Sequence, residues 1–238
     1  MSAGKVEGEQ RTNTVVGDYV LVRSRRRSVG LEVRPDATLV VRVPVRAPLT
    51  LVDAVLLEKS AWIAEKLQQA RNRNLSLPRH DFLTGERFPY LGCDHPFVVA
   101  AFQDRPLVFD EQTGFTLDMA VFDRGEQLFE SWYRTRAREL LTERVRLYAP
   151  RVGVPIPRLR ITGAERRWGS CSATGTVSFA WRLIMAPTDV IDYVVVHELA
   201  HVRQMNHSPA FWAVVAAVMP DYAQRKRWLK EHGPSLTI

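Results

Sequence analysis

The sequence contains little cysteine and has no long apolar run. Its 238 residues include only two cysteines, Cys93 and Cys171, too few for a disulfide framework or a cysteine-rich metal cluster. The longest apolar run, Ala210 to Met219, is about half of the roughly 20 residues that span a bilayer. The polar first residues lack the apolar core of a signal peptide. We therefore expect a cytoplasmic protein with no membrane partner.

Two other absences limit the possible functions. The sequence has no glycine-rich phosphate loop of the G-x-x-x-x-G-K-[ST] type, which lowers the expectation of a phosphoanhydride hydrolase. It also has no zinc-ribbon or helix-turn-helix signature of a DNA-binding protein. The net charge of +7 still allows an anionic partner such as nucleic acid, or a small anionic substrate.

The hydrophobic patterns predict an α+β protein in two lobes. We expect a disordered leader over residues 1–17 and a β-rich N-terminal lobe over 18–149, which includes helices over about 49–74 and 125–148. Pro150 and the prolines after it end the second helix, so the C-terminal lobe is expected over 150–238. Its pattern is two short strands followed by helices to the end.

Residues 197–201 read His-Glu-Leu-Ala-His, an H-E-x-x-H sequence. Residues four apart are separated by about 400° around a helix, so His197 and His201 project from nearly the same face. Two imidazoles in that arrangement can bind one Zn²⁺, with Glu198 beside them as a general base. Thr188 or Asp189 is expected to cap this helix.

A catalytic zinc ion takes three protein ligands and one open position, and His207 can supply the third ligand. The chain must then turn back after His201, and Asn206 is a residue that tolerates the left-handed conformation of such a turn. Ser208 and Pro209 are a typical start for the next helix. Glu231, in the last helix, is a weaker candidate for the third ligand. One zinc ion per chain is expected.

The stretch from Glu165 to Trp212 resembles the YgjP-like family of metal-dependent hydrolases, relatives of the SprT-like zinc metallopeptidases. The matching motifs include Trp168-Gly169-Ser170-Cys171, Ala186-Pro187, residues 191–201, and His207 with Phe211-Trp212. The resemblance implies a zincin-like C-terminal lobe, a short antiparallel sheet with an active-site helix and C-terminal helices. It also implies that His197, His201 and His207 bind zinc and that Glu198 is the catalytic acid/base.

The leading functional hypothesis is a zinc-dependent metallopeptidase in which activated water attacks a peptide bond. The negative oxygen of the intermediate needs a further donor, for which Arg166, Arg167 and the backbone N–H groups at Gly169–Ser170 are candidates. Hydrolysis of a phosphoanhydride or other small anion, and a DNA-associated protease or binding protein with a basic surface, remain alternatives.

The predicted strand over 176–181 could bind an extended peptide if it lies at a sheet edge. Phe179 and Trp181 alternate on one face of that strand, either as substrate contacts or, more simply, as core aromatics. Cys171 is expected to pack beside the site and not to act as a nucleophile or a ligand.

Overall fold

The computed structural model describes residues 8–34, 36–76 and 80–238. The chain forms two compact units, Met1–Leu77 and Pro78–Ile238. This differs from the boundary that the sequence predicts between 149 and 150, because Pro150 lies inside a long helix. The expected leader over 1–17 is wrong from Glu9 onward, since Glu9–Asn13 pair as a strand; residues 1–7 lie outside the described part of the chain.

The first unit contains a four-stranded sheet. Its strands are β1 (Glu9–Asn13), β2 (Gly17–Ser24), β3 (Gly30–Val33) and β4 (Leu39–Pro44). They lie in the order β1-β2-β4-β3, and β2 and β4 are parallel while the other pairs are antiparallel. Alternating apolar residues, among them Leu21 and Val41, bury one face of the sheet.

Two helices complete the first unit: α1 (Leu49–Glu58) and α2 (Ser60–Ser76). The sequence predicts one helix here, and the structure divides it at Lys59. Val52, Leu56 and Ile63 are fully buried and belong to the same apolar cluster as the sheet residues. Val52 and Leu56 lie one turn apart on the same face of α1, and Ile63 joins them in the cluster from α2.

The second unit begins with a four-stranded sheet formed by β5 (Arg87–Tyr90), β6 (Cys93–Ala100), β7 (Leu107–Asp110) and β8 (Gly114–Asp118). The strand order is β5-β6-β8-β7. A 3-10 helix then leads into α3 (Gly125–Val152). The buried residues of α3 recur mostly every four positions, from Phe129 through Tyr133 and Ala137 to Leu141 and Val145, so one face of this helix lies in the core.

A second, three-stranded sheet follows α3. It contains β9 (Leu159–Thr162), β10 (Gly169–Cys171) and β11 (Val177–Ala180), in the order β10-β11-β9. The sheet is mixed, because β11 is antiparallel to β10 and parallel to β9. The expectation of a purely antiparallel sheet is therefore wrong.

The chain ends in three helices: α4 (Thr188–Arg203), α5 (Pro209–Val218) and α6 (Tyr222–His232). The described residues thus form an α+β protein with six α-helices and three small sheets. None of the described helices is both long enough and apolar enough to cross a membrane.

The turn between β5 and β6 fixes the start of α4. The N–H groups of Leu91 and Gly92 donate to the carbonyls of Ile184 and Met185, both at 3.0 Å. Gly92 has φ +81°, and a Cβ on it would lie 2.8 Å from Cγ of Pro187, so only glycine fits this contact. Pro187 is the N-cap of α4, and its side chain cannot cap the helix; the predicted cap at Thr188 or Asp189 is therefore wrong.

A buried ion pair joins α3 to α4. The guanidinium of Arg144 donates from Nε and Nη2 to the two carboxylate oxygens of Asp192, each at 2.5 Å. Tyr148 Oη donates to the same carboxylate at 2.9 Å. Asp192 is only 6% exposed. Three donors together compensate the desolvation of the buried carboxylate, and one donor alone would not compensate it.

We expect Asp192→Asn to lower the free energy of unfolding by about 2 kcal/mol, because the half-buried guanidinium of Arg144 would lose the carboxylate to which two of its nitrogens donate. Urea denaturation measures the loss. Glu139→Gln is the control, since Glu139 pairs with Arg136 on the exposed side of α3, the helix that carries Arg144, and this pair should contribute little to stability. Equal losses in the two variants would contradict a special role for the buried pair.

Candidate metal centre

The last turns of α4 present the H-E-x-x-H residues. Ten of the 16 residues of α4 are buried, so the helix is held in the core along most of its length. Within the described residues, Asp192 and Glu198 are the buried charged groups. His197 and His201 lie on the side of α4 that faces α5, where rings from both helices meet.

The three predicted ligands lie together. Each of His197, His201 and His207 offers one ring nitrogen, and these three nitrogens lie within 4.8 Å of one another. Nε2 of His207 is 3.1 Å from Nε2 of His197. Two nitrogens on one tetrahedral zinc ion, each about 2.0–2.1 Å from it, have a similar separation. The cluster is half-buried at His197 and His201 and exposed at His207.

A hydrogen bond orients His201. Its Nδ1 lies 3.1 Å from the carbonyl oxygen of Gln204, just beyond the end of α4. A carbonyl only accepts, so Nδ1 carries the proton and donates. Nε2 of His201 is then the nitrogen with a free lone pair, which is the form that binds a metal.

His207 lies at the corner between α4 and α5, as the sequence predicts. Ser208 is the N-cap of α5 and its hydroxyl accepts from the N–H of Phe211, with Pro209 at the first helical position. The expected left-handed residue in this corner is wrong, because Asn206 does not have a positive φ. The chain reverses instead through an extended residue, Gln204, with φ −137° and ψ 101°.

Aromatic rings of α5 support the three imidazoles. Phe211 is fully buried, and its ring centroid lies 4.9 Å, 4.5 Å and 4.8 Å from those of His197, His201 and His207. Trp212 stacks on the exposed His207, with centroids 5.7 Å apart and planes inclined by 23°. The sequence marks both aromatics only as part of a family motif and assigns them no role.

Burial keeps His197 neutral. Its pKa falls to about 3, first because the ring is desolvated and then because His201, His207 and Lys226 disfavour a positive charge there. The pKa of His201 is lowered too, again mainly by burial. Neutral imidazoles retain the lone pairs that a metal ion requires.

Within the part of the chain that the structure describes, Glu198 is a buried carboxylate without a fixed partner. It is 5% exposed, and no group in the described residues donates a hydrogen bond to its Oε2. Burial raises its pKa to about 7, and the opposing charge of Arg167 limits that rise. A carboxyl group that titrates near neutrality can both accept and release a proton at the working pH of a cell.

Gly169 makes room for Glu198. A Cβ built on Gly169 would lie 2.5 Å from both Cγ and Oε1 of Glu198, closer than real Cβ atoms approach. This glycine begins β10, one of the two edge strands of the three-stranded sheet. The strand backbone therefore lies directly against the carboxylate side chain.

The other predicted substrate contacts divide into two groups. Strand β11 is the central strand, paired on both sides, so the expected peptide-binding edge at 176–181 is wrong. Phe179 is fully buried and Trp181 is 5% exposed, which makes them core aromatics. Arg166 is exposed in the segment before β10, and Ser170 lies within β10 opposite Ser178.

Cys171 lies near Glu198 without belonging to the histidine cluster. It is half-buried, and its pKa is raised by burial and then by the charge of Glu198. Glu231 also lies outside the cluster. Tyr193 and Lys226 also lie near His197, and the sequence patterns do not single them out. Tyr193 lies one helical turn before His197, and that spacing is a signal that places it beside the site.

The described donors fit a metal ion. Three ring nitrogens converge from two directions, and Glu198, whose buried Oε2 has no partner in the described residues, directly follows His197 in α4. Nε2 of His197 and Nε2 of His207 are 3.1 Å apart. Without a shared ion, these two basic nitrogens have at most one proton between them. A set of three imidazoles suits zinc and several other first-row metals.

Comparisons with known proteins identify the family. No curated protein matches the chain. The crystal structure of the metallopeptidase zymogen of Pyrococcus abyssi abylysin is similar at 21% identity, over 38% of this chain and 93% of that one, with a TM-score of 0.36. That likeness is too weak to carry an argument. The model of the YgjP-like family, described as a YgjP-like metallopeptidase domain, matches residues 27–232. This chain therefore belongs to the YgjP-like family and contains its metallopeptidase domain.

Proposed function

We propose that the protein is a zinc-dependent metallopeptidase in which Glu198 is the general base. The observation that carries the proposal is the combination of three converging imidazoles with a buried carboxylate whose Oε2 has no partner in the described residues. The family's metallopeptidase domain supports the reaction class.

His197, His201 and His207 would hold the ion. When bound there, zinc supplies Lewis acidity, which makes a water molecule more acidic and polarises the scissile carbonyl. The hydrogen bond from His201 to Gln204 and the packing of Phe211 keep the imidazoles oriented before any metal arrives. Such preorganisation lowers the cost of ordering the ligands on binding.

Glu198 accepts the proton of the attacking water at Oε2 and then delivers it to the nitrogen of the leaving amine. Its raised pKa suits both steps, because neither protonation state is strongly disfavoured near pH 7. Arg167 is a donor suited to the negative oxygen that develops on the substrate. Arg166 is a second cation in the same segment.

The free edge of β10 is suited to an extended peptide. Trp168 and Ser172 form the ladder hydrogen bonds to β11, so antiparallel alternation directs the N–H and C=O groups of Gly169 and Cys171 away from that strand. A substrate strand can pair with these groups beside Glu198. Ser170, in contrast, uses its backbone groups within the sheet.

Glu198→Gln should bind zinc like the parent protein but hydrolyse an unfolded polypeptide about 10²–10⁴-fold more slowly, because the amide cannot accept the proton. Peptide masses recorded over time measure the rate, and metal analysis measures the zinc content. Glu231→Gln is the control and should leave both unchanged. Full activity of Glu198→Gln would show that the base is another group.

His207→Ala should lower zinc affinity by about 100-fold or more, since one of three ligands is lost. Competition with a chromophoric chelator gives the affinity. Because His207 is exposed, the metal-free variant should melt at the parent's temperature. His232→Ala, at another exposed histidine, should bind zinc normally; equal affinity in both variants would contradict a three-histidine site.

Gly169→Ala should lower kcat by about tenfold or more with little change in zinc content, because the new methyl group displaces Glu198 and not the histidines. Ser170→Ala, one residue along the same strand, is the matched control. If both variants lose zinc, or neither loses activity, the proposed contact between β10 and Glu198 does not matter for catalysis.

A further inference from the structure

Lys226 brings a positive charge to the metal centre. It lies on α6 and is exposed. Its Nζ lies 4.4 Å from the ring centroid of Trp212, and Trp212 stacks on the imidazole of His207. The ammonium is thus separated from a proposed zinc ligand by one indole. It is also close enough to His197 to disfavour a positive charge on that ring.

The charge of Lys226 is not paired with a carboxylate in the described part of the chain. Among residues 8–34, 36–76 and 80–238, no acidic side chain forms an ion pair with Lys226. The two aspartates around the start of α4 and α6, Asp189 and Asp221, both pair with Arg225. Burial raises the pKa of Tyr193, so this neighbouring phenol carries no charge at neutral pH. The positive charge of Lys226 therefore stays available for a ligand.

Contact with Trp212 holds the ammonium without neutralising it. An ammonium over an indole face gains a favourable electrostatic interaction and keeps its full charge. Trp212 is itself fixed between His207 and Tyr222, with its ring stacked on Tyr222 at 5.1 Å and 15°. The position of the charge relative to the imidazoles is thus set by a stack of rings.

A second positively charged residue, Arg167, acts on Glu198, the proposed general base. Arg167 is exposed and its charge favours the ionised form of Glu198. Lys226 on α6 and Arg167 in the segment before β10 approach the site from different elements. Both residues are positively charged, so the groups of the site are influenced by cations from two elements.

We propose that Lys226 is a specificity-determining residue that binds a carboxylate of the substrate beside the metal centre. The proposal rests on the peptidase function and adds the substrate class: peptides with an acidic side chain, or a free C-terminal carboxylate, close to the scissile bond. Both sources offer the same group to the ammonium, a carboxylate that accepts charge-assisted hydrogen bonds.

The test uses zinc-loaded protein and one fluorogenic peptide series. The peptides carry Glu, Gln or Lys at one position next to the scissile bond, and each is made with a free or an amidated C-terminus. If the side chain is the source, kcat/KM should be about fivefold higher for Glu than for Gln in both terminal forms. If the terminus is the source, the free acid should be preferred whatever the side chain.

Three variants assign the preference to one residue. Lys226→Met keeps an apolar stem over Trp212 but removes the charge, so kcat/KM should become equal for the Glu and Gln peptides and for the free and amidated termini. Lys226→Arg should retain the preference. Lys230→Met removes the same charge one helical turn along α6 and should retain it too. A preference that survives Lys226→Met overturns the assignment.

Binding measured without turnover separates this proposal from the peptidase function. Titration calorimetry of the same peptides with the Glu198→Gln protein should give a dissociation constant about fivefold lower for the carboxylate peptides, reduced by raised salt and by Lys226→Met. If calorimetry gives this result but the parent protein cleaves none of the peptides, the assignment of Lys226 stands and the peptidase function is refuted. Cleavage with equal constants for all peptides would refute the role of Lys226 alone.

Discussion

The half-buried Arg144 guanidinium pairs with the buried Asp192 carboxylate, and this ion pair fixes the helix on which the site is built. Asp192 precedes His197 by five residues on α4, so an anchor at Asp192 sets both the rotation and the height of the two histidines and of Glu198. Tyr148 adds a third donor from the same helix, α3. Because a charge without its partner is costly inside a protein, a rotated α4 would be disfavoured.

The site then combines groups that water would normally solvate. Three imidazoles approach one another, and a carboxylate lies buried beside a strand that has no side chain at Gly169. Each of these features costs folding free energy in the metal-free protein. A bound cation would compensate the imidazole lone pairs, so the binding free energy of the metal also contributes to the stability of the fold. The same burial gives Glu198 its pKa near 7.

Local signals in the sequence were enough for the helix of the site and its corner. The H-E-x-x-H spacing, and Ser208 with Pro209 as a helix start, depend on contacts within a few residues, and the structure has both α4 and α5 where they predict them. Non-local features were not predictable in this way. The central position of β11 depends on pairing with residues up to 18 positions away, and the continuation of α3 through Pro150 depends on packing that outweighs the loss of one hydrogen bond.

Phe211 has a consequence for how this site can change over generations. One ring packs against three imidazoles, although it carries no donor atom and takes no part in the proposed chemistry. A substitution that alters its volume shifts all three histidines together, whereas a change behind a single histidine shifts only one. Selection on metal affinity therefore also acts on an apolar position that carries no ligand atom, and a change at Phe211 requires compensating changes in its packing neighbours.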